Sequence, residues 1–134
     1  MTKHERKEDR MMRDNLYRTD HKIVSIRAKA FEGEGIREHK VCVVESIVND
    51  PKHIGRKMLK ITVGVRDPET GNYTYNHDLC PAAVRRAIKL AMPWRVRIEP
   101  EGVIKRRFFT EKDARAYASR FGDAGSWFKE GGGR

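Results

Sequence analysis

The chain has 134 residues, 38% of them hydrophobic and 36% charged, with a formal net charge of +10, which is typical of one small and very polar domain. Its two cysteines, Cys42 and Cys80, form no CxxC motif, and no Cys/His cluster has the spacing of zinc ligands, so a zinc site of that kind is excluded. The sequence has no apolar signal region and no long apolar run, so we expect a cytoplasmic protein with no cofactor and no membrane partner.

The positive charge is concentrated in the last part of the chain. Residues 79–134 contain 13 Lys/Arg against 6 Asp/Glu, whereas residues 1–78 contain 16 against 13. A localised basic field raises the local concentration of phosphate groups and speeds encounter with them. A solubilising surface without a polyanionic partner would have the same composition, so charge favours nucleic acid and leaves that plainer interpretation open.

The first half of the chain predicts a flexible segment followed by an antiparallel meander. Residues 1–20 mix both charge signs with few apolar residues, which predicts a flexible or partly helical N-terminal segment. Alternating or β-branched apolar residues then predict three strands, over 22–31, 40–48 and 57–66. Pro68 and Gly71 mark a hairpin turn, after which residues 72–77 return as a fourth strand.

The hydrophobic period changes after residue 80, which predicts a helix. Pro81 suits the first helical turn, and Pro93 ends the pattern. The apolar residues that recur at helical spacing are Val84, Ala87, Ile88 and Ala91. The other side of this helix carries three cations, Arg85, Arg86 and Lys89.

Residues 94–109 predict a β-hairpin with one apolar and one cationic side. Trp94, Val96 and Ile98 share one side of the first strand, and Arg95 and Arg97 lie on the other. The segment 100–102 (Pro-Glu-Gly) supplies the turn. The returning strand, 103–109, carries Lys105, Arg106 and Arg107, which cannot all point to one side.

A second helix follows the hairpin. Thr110 and Asp113 form an approximate capping box, and Gly122 ends the helix. Residues 123–134 are expected to form a loose C-terminal tail. The predicted fold is therefore a single α+β domain over 21–122, in which an antiparallel sheet, made of a four-strand meander plus a late hairpin, has two helices packed on it.

The candidate functional residues are cations that could contact phosphates and tyrosines that could stack on bases. Arg95 and Arg97 are about 7 Å apart along a strand, a spacing that suits successive phosphates. The candidate nucleic-acid-binding residues are Arg85, Arg86, Lys89, Arg95, Arg97, Lys105, Arg106, Arg107, Lys112 and Arg115. Tyr73 and Tyr75 are the candidates for stacking. Solvated surface charges and half-buried tyrosines would have the same pattern.

Catalytic patterns are missing from the sequence. His77 and Asp78 are adjacent, but neighbouring residues in a strand point to opposite sides, so a strand end followed by a helix cap is the simpler interpretation. The chain has no GxSxG or HExxH motif and no nuclease-like pair of carboxylates. We therefore expect a protein that is not an enzyme, with no catalytic or metal-binding residues.

The segment 94–121 resembles the DNA-binding domain of plant ethylene-response factors and the arm-site-binding domain of tyrosine integrases. Both have a Trp-x-apolar-x-Ile strand, a turn, a basic strand that ends in Phe and Thr, and an Ala-rich helix with an aromatic residue. The matching residues here are Trp94, Val96, Ile98, 105–110, Ala114, Ala116, Tyr117 and Ala118. The resemblance implies that strand arginines contact DNA in the major groove and that the helix packs behind the sheet. The family's first strand would lie immediately upstream, where this chain predicts a helix.

Two classes of function remain open. Four antiparallel strands followed by a helix are also similar, in layout alone, to the half-unit of Whirly-type and Pur-type single-strand binders, which would make the tyrosines stacking residues. These observations favour a nucleic-acid-binding protein, for DNA or RNA, or a structural component of a nucleoprotein particle. The alternative is a small regulator or inhibitor, encoded for example by a phage, that binds an acidic surface on a transcription, replication or nuclease protein through its N-terminal segment and Trp127-Phe128.

Overall fold

The computed structural model describes the backbone of residues 16–75 and 78–131, with side chains from residue 20 onward in these ranges. It confirms the α+β class. The elements in chain order are β1 (Leu16–Ala28), β2 (Arg37–Asn49), β3 (Lys57–Arg66), β4 (Tyr73–Tyr75), α1 (Pro81–Ala91), β5 (Trp94–Ile98), β6 (Gly102–Phe108), α2 (Glu111–Ser119) and β7 (Gly125–Lys129). A single 3-10 turn, Gly122–Ala124, precedes β7.

The first four strands form a large antiparallel sheet in the order β1-β2-β3-β4. Residues of one side, among them Ile26, Val41 and Val63, are buried against α1. Three alanines of α1, at positions 83, 87 and 91, face the sheet and let the helix approach closely. The helical spacing seen in the sequence therefore corresponds to the buried side of α1, and its three cations lie on the exposed side.

The late hairpin forms a sheet of its own and does not extend the large one. This small sheet has the order β6-β5-β7, with β5 in the centre and both neighbours antiparallel to it. Val96 and Phe108 on one of its sides pack against Ala114 and Ala118 of α2. The predicted cap of α2 is confirmed, because the Thr110 hydroxyl oxygen accepts a hydrogen bond from the backbone N–H of Asp113 at 3.1 Å.

The prediction of a loose tail over 123–134 is wrong for residues 125–129, which form β7. This strand pairs with β5 along five residues, from Trp94 opposite Lys129 to Ile98 opposite Gly125. Gly125 allows the pairing, because a Cβ at this position would lie 2.2 Å from the carbonyl oxygen of Ala118. Only a residue without a side chain can bring β7 this close to the end of α2.

The predicted N-terminal segment also differs from the structure, because residues 16–20 belong to β1. β1 begins before the predicted strand 22–31 because it pairs with β2 from Leu16 opposite Val48 to Ala28 opposite Arg37. One irregularity interrupts this pairing between Arg18 and Asp20. Residues 1–15 lie outside the described part of the chain. Neither helix of the described ranges is long and apolar enough to cross a membrane.

Candidate nucleic-acid interface

Two of the candidate arginines are held inside the protein by one glutamate. Arg95 and Arg107 lie opposite each other on β5 and β6, and their side chains are only 15% and 17% exposed. Arg95 donates to Glu130 Oε2 at 3.2 Å and to the carbonyl oxygen of Ile104 at 2.9 Å. Arg107 donates to the carbonyl oxygen of Met92, and its Nη2 lies 2.6 Å from Glu130 Oε1. The last contact is a close charge contact more than an aligned hydrogen bond.

Three neighbouring cations lower the pKa of Glu130. The Arg107 guanidinium holds the pKa of Glu130 below its ordinary value of 4.5, against the opposing effect of burial, and the charges of Arg95 and Lys89 act in the same direction. Glu130 therefore remains ionised over the neutral range. The cluster of Arg95, Arg107 and Glu130 contains two guanidinium groups and one carboxylate, so its net charge is only +1. Both arginines contact Glu130 and a backbone carbonyl oxygen, so their role is largely structural.

Arg106 joins the small sheet to the large one. Its guanidinium lies 4.7 Å from the centre of the Phe108 ring, and its Nη2 is 3.6 Å from the buried carboxylate of Glu45 on β2. The side chain also lies 5.9 Å from the ring of Tyr117 on α2. The Arg106 guanidinium thus contacts two aromatic rings and one carboxylate of the protein itself. Because these contacts occupy it, Arg106 is poorly placed to contact a phosphate.

Arg97 and Lys105 are the exposed cations of the hairpin. The register places Arg97 beside Ser126 of β7 and Val103 of β6, on the side of the small sheet that faces away from α2. Lys105 is exposed and borders the same cleft as Arg107. Phe128, 37% exposed, lies opposite Arg95 on this side. The outward face of the small sheet thus combines two exposed cations with an aromatic ring.

The three cations of α1 line a groove. Arg85, Arg86 and Lys89 border a space of about 570 Å³ between α1 and the end of β1. Lys29 lies on the opposite wall, where it forms an exposed ion pair with Glu32 at 3.2 Å. The remaining walls are apolar or small, namely Ala28, Ile36, Cys80, Ala82 and Ala83, and no acidic residue of the described chain lines the groove.

The seven exposed candidate cations lie on α1, on the hairpin and on α2. The charge of Lys89, near the end of α1, acts on Glu130. Lys112 and Arg115 are exposed on α2, which covers the other face of the small sheet. The ten candidate cations are therefore divided into three exposed on α1, two exposed on the hairpin, a structural group of three and a pair exposed on α2.

The two candidate tyrosines do not line the cationic groove beside α1. Both are on β4, at the edge of the large sheet, and the register directs Tyr75 to the side opposite α1, together with Gly64 of β3. Tyr75 is 46% exposed, and Tyr73 is half-buried. Tyr75 and α1 therefore lie on opposite sides of the large sheet, although Tyr75 and Val84 of α1 border one cleft at the sheet edge.

Glu130 and Phe128 were not recognised from the sequence as parts of the site. Both lie in the segment interpreted as a tail, although Gly125-Ser-Trp-Phe-Lys129 is long enough for a short strand. Trp127, expected to be a free anchor for a protein partner, donates from Nε1 to Glu111 Oε2 on α2 at 3.1 Å. It therefore ties β7 to the helix.

The described residues of this arrangement offer charge and shape. Within 16–75 and 78–131, no three His, Cys, Asp or Glu residues lie close enough together to hold a metal ion. His77, which precedes Asp78, lies outside the described residues. The buried histidine of the described chain, His39 on β2, contacts Glu34 of the preceding loop at 2.8 Å.

Comparison with known proteins gives no further guide to this interface. No protein-family model matches the chain, and neither a curated protein nor a solved structure matches it. The similarity of residues 94–121 to the ethylene-response-factor and integrase domains therefore stays a prediction. The third strand of the small sheet follows α2 in the chain, whereas that family places its additional strand before the hairpin.

Proposed function

We propose that this protein binds nucleic acid, DNA or RNA, without catalysing a reaction. The proposal concerns one basic surface, which consists of Arg85, Arg86 and Lys89 on α1 and Arg97 and Lys105 on the hairpin. The observation that carries it is the groove beside α1, since three cations of one helix and Lys29 line it without an acidic residue. Such a groove attracts a polyanion because its three α1 cations have no ion pair among the described residues, whereas Lys29 is paired with Glu32.

The exposure of these side chains supports contact with phosphates. All five are exposed, and none has an ion pair within the described ranges. Arg85 and Lys89 are one helical turn apart, about 6 Å along the axis. A chain of phosphates matches such a row of cations, and the release of counterions would supply most of the binding free energy.

A pair of variants tests the basic surface. Replacing Arg85 and Arg86 with alanine should reduce the slope of log affinity against log salt concentration by about 2 on duplex DNA and by about 1.4 on a single strand. The reason is that each phosphate left without its arginine keeps its counterion, so about one ion fewer is released on binding. Fluorescence anisotropy at a series of salt concentrations, with single- and double-stranded DNA and RNA, measures these slopes.

The matched control removes the same charge from the other side of the small sheet. Lys112→Ala with Arg115→Ala lowers the net charge by two as well, and we expect the slope to stay at the wild-type value. If both double variants reduced the salt slope equally, binding would depend on the net charge of the protein and not on a defined surface. Absence of binding to every nucleic acid at low salt would refute the proposal and favour a protein partner, which a pull-down that survives nuclease treatment would detect.

A further inference from the structure

The side of the large sheet opposite α1 is a second surface, here called the open face. Alternation along the strands directs Ile23, Cys42, Gly64 and Tyr75 to this side, where they form one row across all four strands. Both described helices pack elsewhere, α1 on the other side of this sheet and α2 on the small sheet. Ile23 is 50% exposed, so the row is accessible at both of its ends.

Tyr75 lies flat on the open face because the residue beside it is a glycine. A Cβ built on Gly64 would lie 2.7 Å from Cδ1 and Cε1 of the tyrosine ring and 2.9 Å from Cζ. Three ring atoms at nearly equal distance mean that the ring plane covers the backbone of Gly64. One ring face thus contacts the sheet, and the 46% exposure of the residue leaves ring surface accessible to solvent.

The charges of the open face favour an anionic occupant. Between residues 21 and 75, the register assigns to this face four cations and one acidic residue, namely Arg27, Lys40, Lys60, Arg66 and Glu38. All of them are exposed. An aromatic platform surrounded by cations suits a ligand that has both flat rings and phosphates, because the rings stack while the phosphates are neutralised.

We infer that the open face binds single-stranded nucleic acid, with an unpaired base stacked on Tyr75 and neighbouring phosphates near Lys40, Lys60 and Arg66. The inference rests on the proposed function and adds the strandedness of the ligand and a second site. Bases of a duplex are already stacked on each other, so only a single strand offers a free base to a ring held flat on a sheet. Gly64 positions the ring, and Tyr75 makes the contact.

The test compares a base-bearing strand with an abasic strand of the same length. The full-length protein is titrated with oligothymidylate and with an abasic phosphodiester of about 12 nucleotides, a length within the range of single-strand sites. Both ligands carry the same phosphate charge, so the ratio of their affinities reports stacking alone. We expect the wild type to bind the thymidylate strand about 10-fold more tightly, as one stacked base contributes about 1–3 kcal/mol.

Three variants assign that preference to the platform. Tyr75→Ala should reduce the ratio to about one, and Tyr75→Phe should keep it, since phenylalanine retains the ring. Gly64→Ala keeps the tyrosine but lifts its ring from the sheet, so it should lower the ratio while the unfolding midpoint reports whether the sheet is intact. A wild-type ratio of one, or a ratio that Tyr75→Ala leaves unchanged, would overturn the inference.

The basic surface is tested independently of the open face. If Arg85→Ala with Arg86→Ala leaves the salt slope unchanged, the proposed phosphate surface on α1 is wrong, and the ratio of thymidylate to abasic strand still decides the question of stacking. Conversely, a changed slope together with a ratio of one supports phosphate binding at α1 and refutes the platform.

Discussion

Gly125→Val is expected to lower the free energy of unfolding by about 3 kcal/mol, at the upper end of the range for inserting atoms into a packed site. The added Cβ would lie 2.2 Å from the carbonyl oxygen and 3.0 Å from the carbonyl carbon of Ala118. These are backbone atoms of a helix, so the neighbour cannot turn aside as a side chain would. Either α2 or β7 has to move, and the small sheet loses its third strand.

Urea denaturation followed by tryptophan fluorescence measures this effect, since Trp94 and Trp127 both belong to the small sheet. The matched control is Gly35→Val, because no heavy atom lies within 4 Å of a Cβ at Gly35 and its φ is outside the left-handed region. That control should change stability by less than about 0.5 kcal/mol. A midpoint for Gly125→Val equal to that of the control would mean that β7 contributes nothing to stability.

Glu130→Gln is expected to destabilise the protein by about 2 kcal/mol at neutral pH. The change leaves Arg95 and Arg107, only 15% and 17% exposed, without a neutralising charge between them. Removing one partner of a fully buried ion pair costs about 3–5 kcal/mol, and the smaller value applies here because the Glu130 side chain is 36% exposed and partly screened by solvent.

The same carboxylate predicts a dependence of stability on pH. Because the pKa of Glu130 is lower in the folded protein than its ordinary value of 4.5, the unfolded chain takes up a proton first as the pH falls. The stabilisation is therefore present above that value and is lost as the pH falls through it and then through the folded pKa. Glu130→Gln should lose less stability than the wild type over this window.

Denaturation curves collected from neutral to acidic pH measure this difference. Glu101→Gln is the control, since it removes one negative charge from an exposed position in the hairpin turn that has no ion pair within the described residues. It should follow the wild type at every pH. Parallel curves for Glu130→Gln and the wild type would show that the carboxylate does not stabilise the arginine pair.

The alternation of residues along the sequence predicted which side of a strand each candidate residue occupies. The alternation of β5 places Val96 in the core and directs Arg95 and Arg97 to the other side, as the register confirms. The same alternation cannot tell which of the two arginines is neutralised. Arg95 is held by Glu130, which is 35 residues away in sequence and reaches it only because β7 pairs with β5.

Periodicity and turn chemistry, both local properties, determined the fold class, the hairpins and the two helices of this protein, because each depends on residues a few positions apart. Tertiary structure alone decided that the late hairpin forms a separate sheet, that 125–129 completes it, and that Tyr75 lies on Gly64. Those outcomes depend on contacts between segments distant in sequence, whose free energies arise only when the chain is folded. The same contacts divide ten similar cations into three that are held in ion pairs of the structure and seven that are exposed.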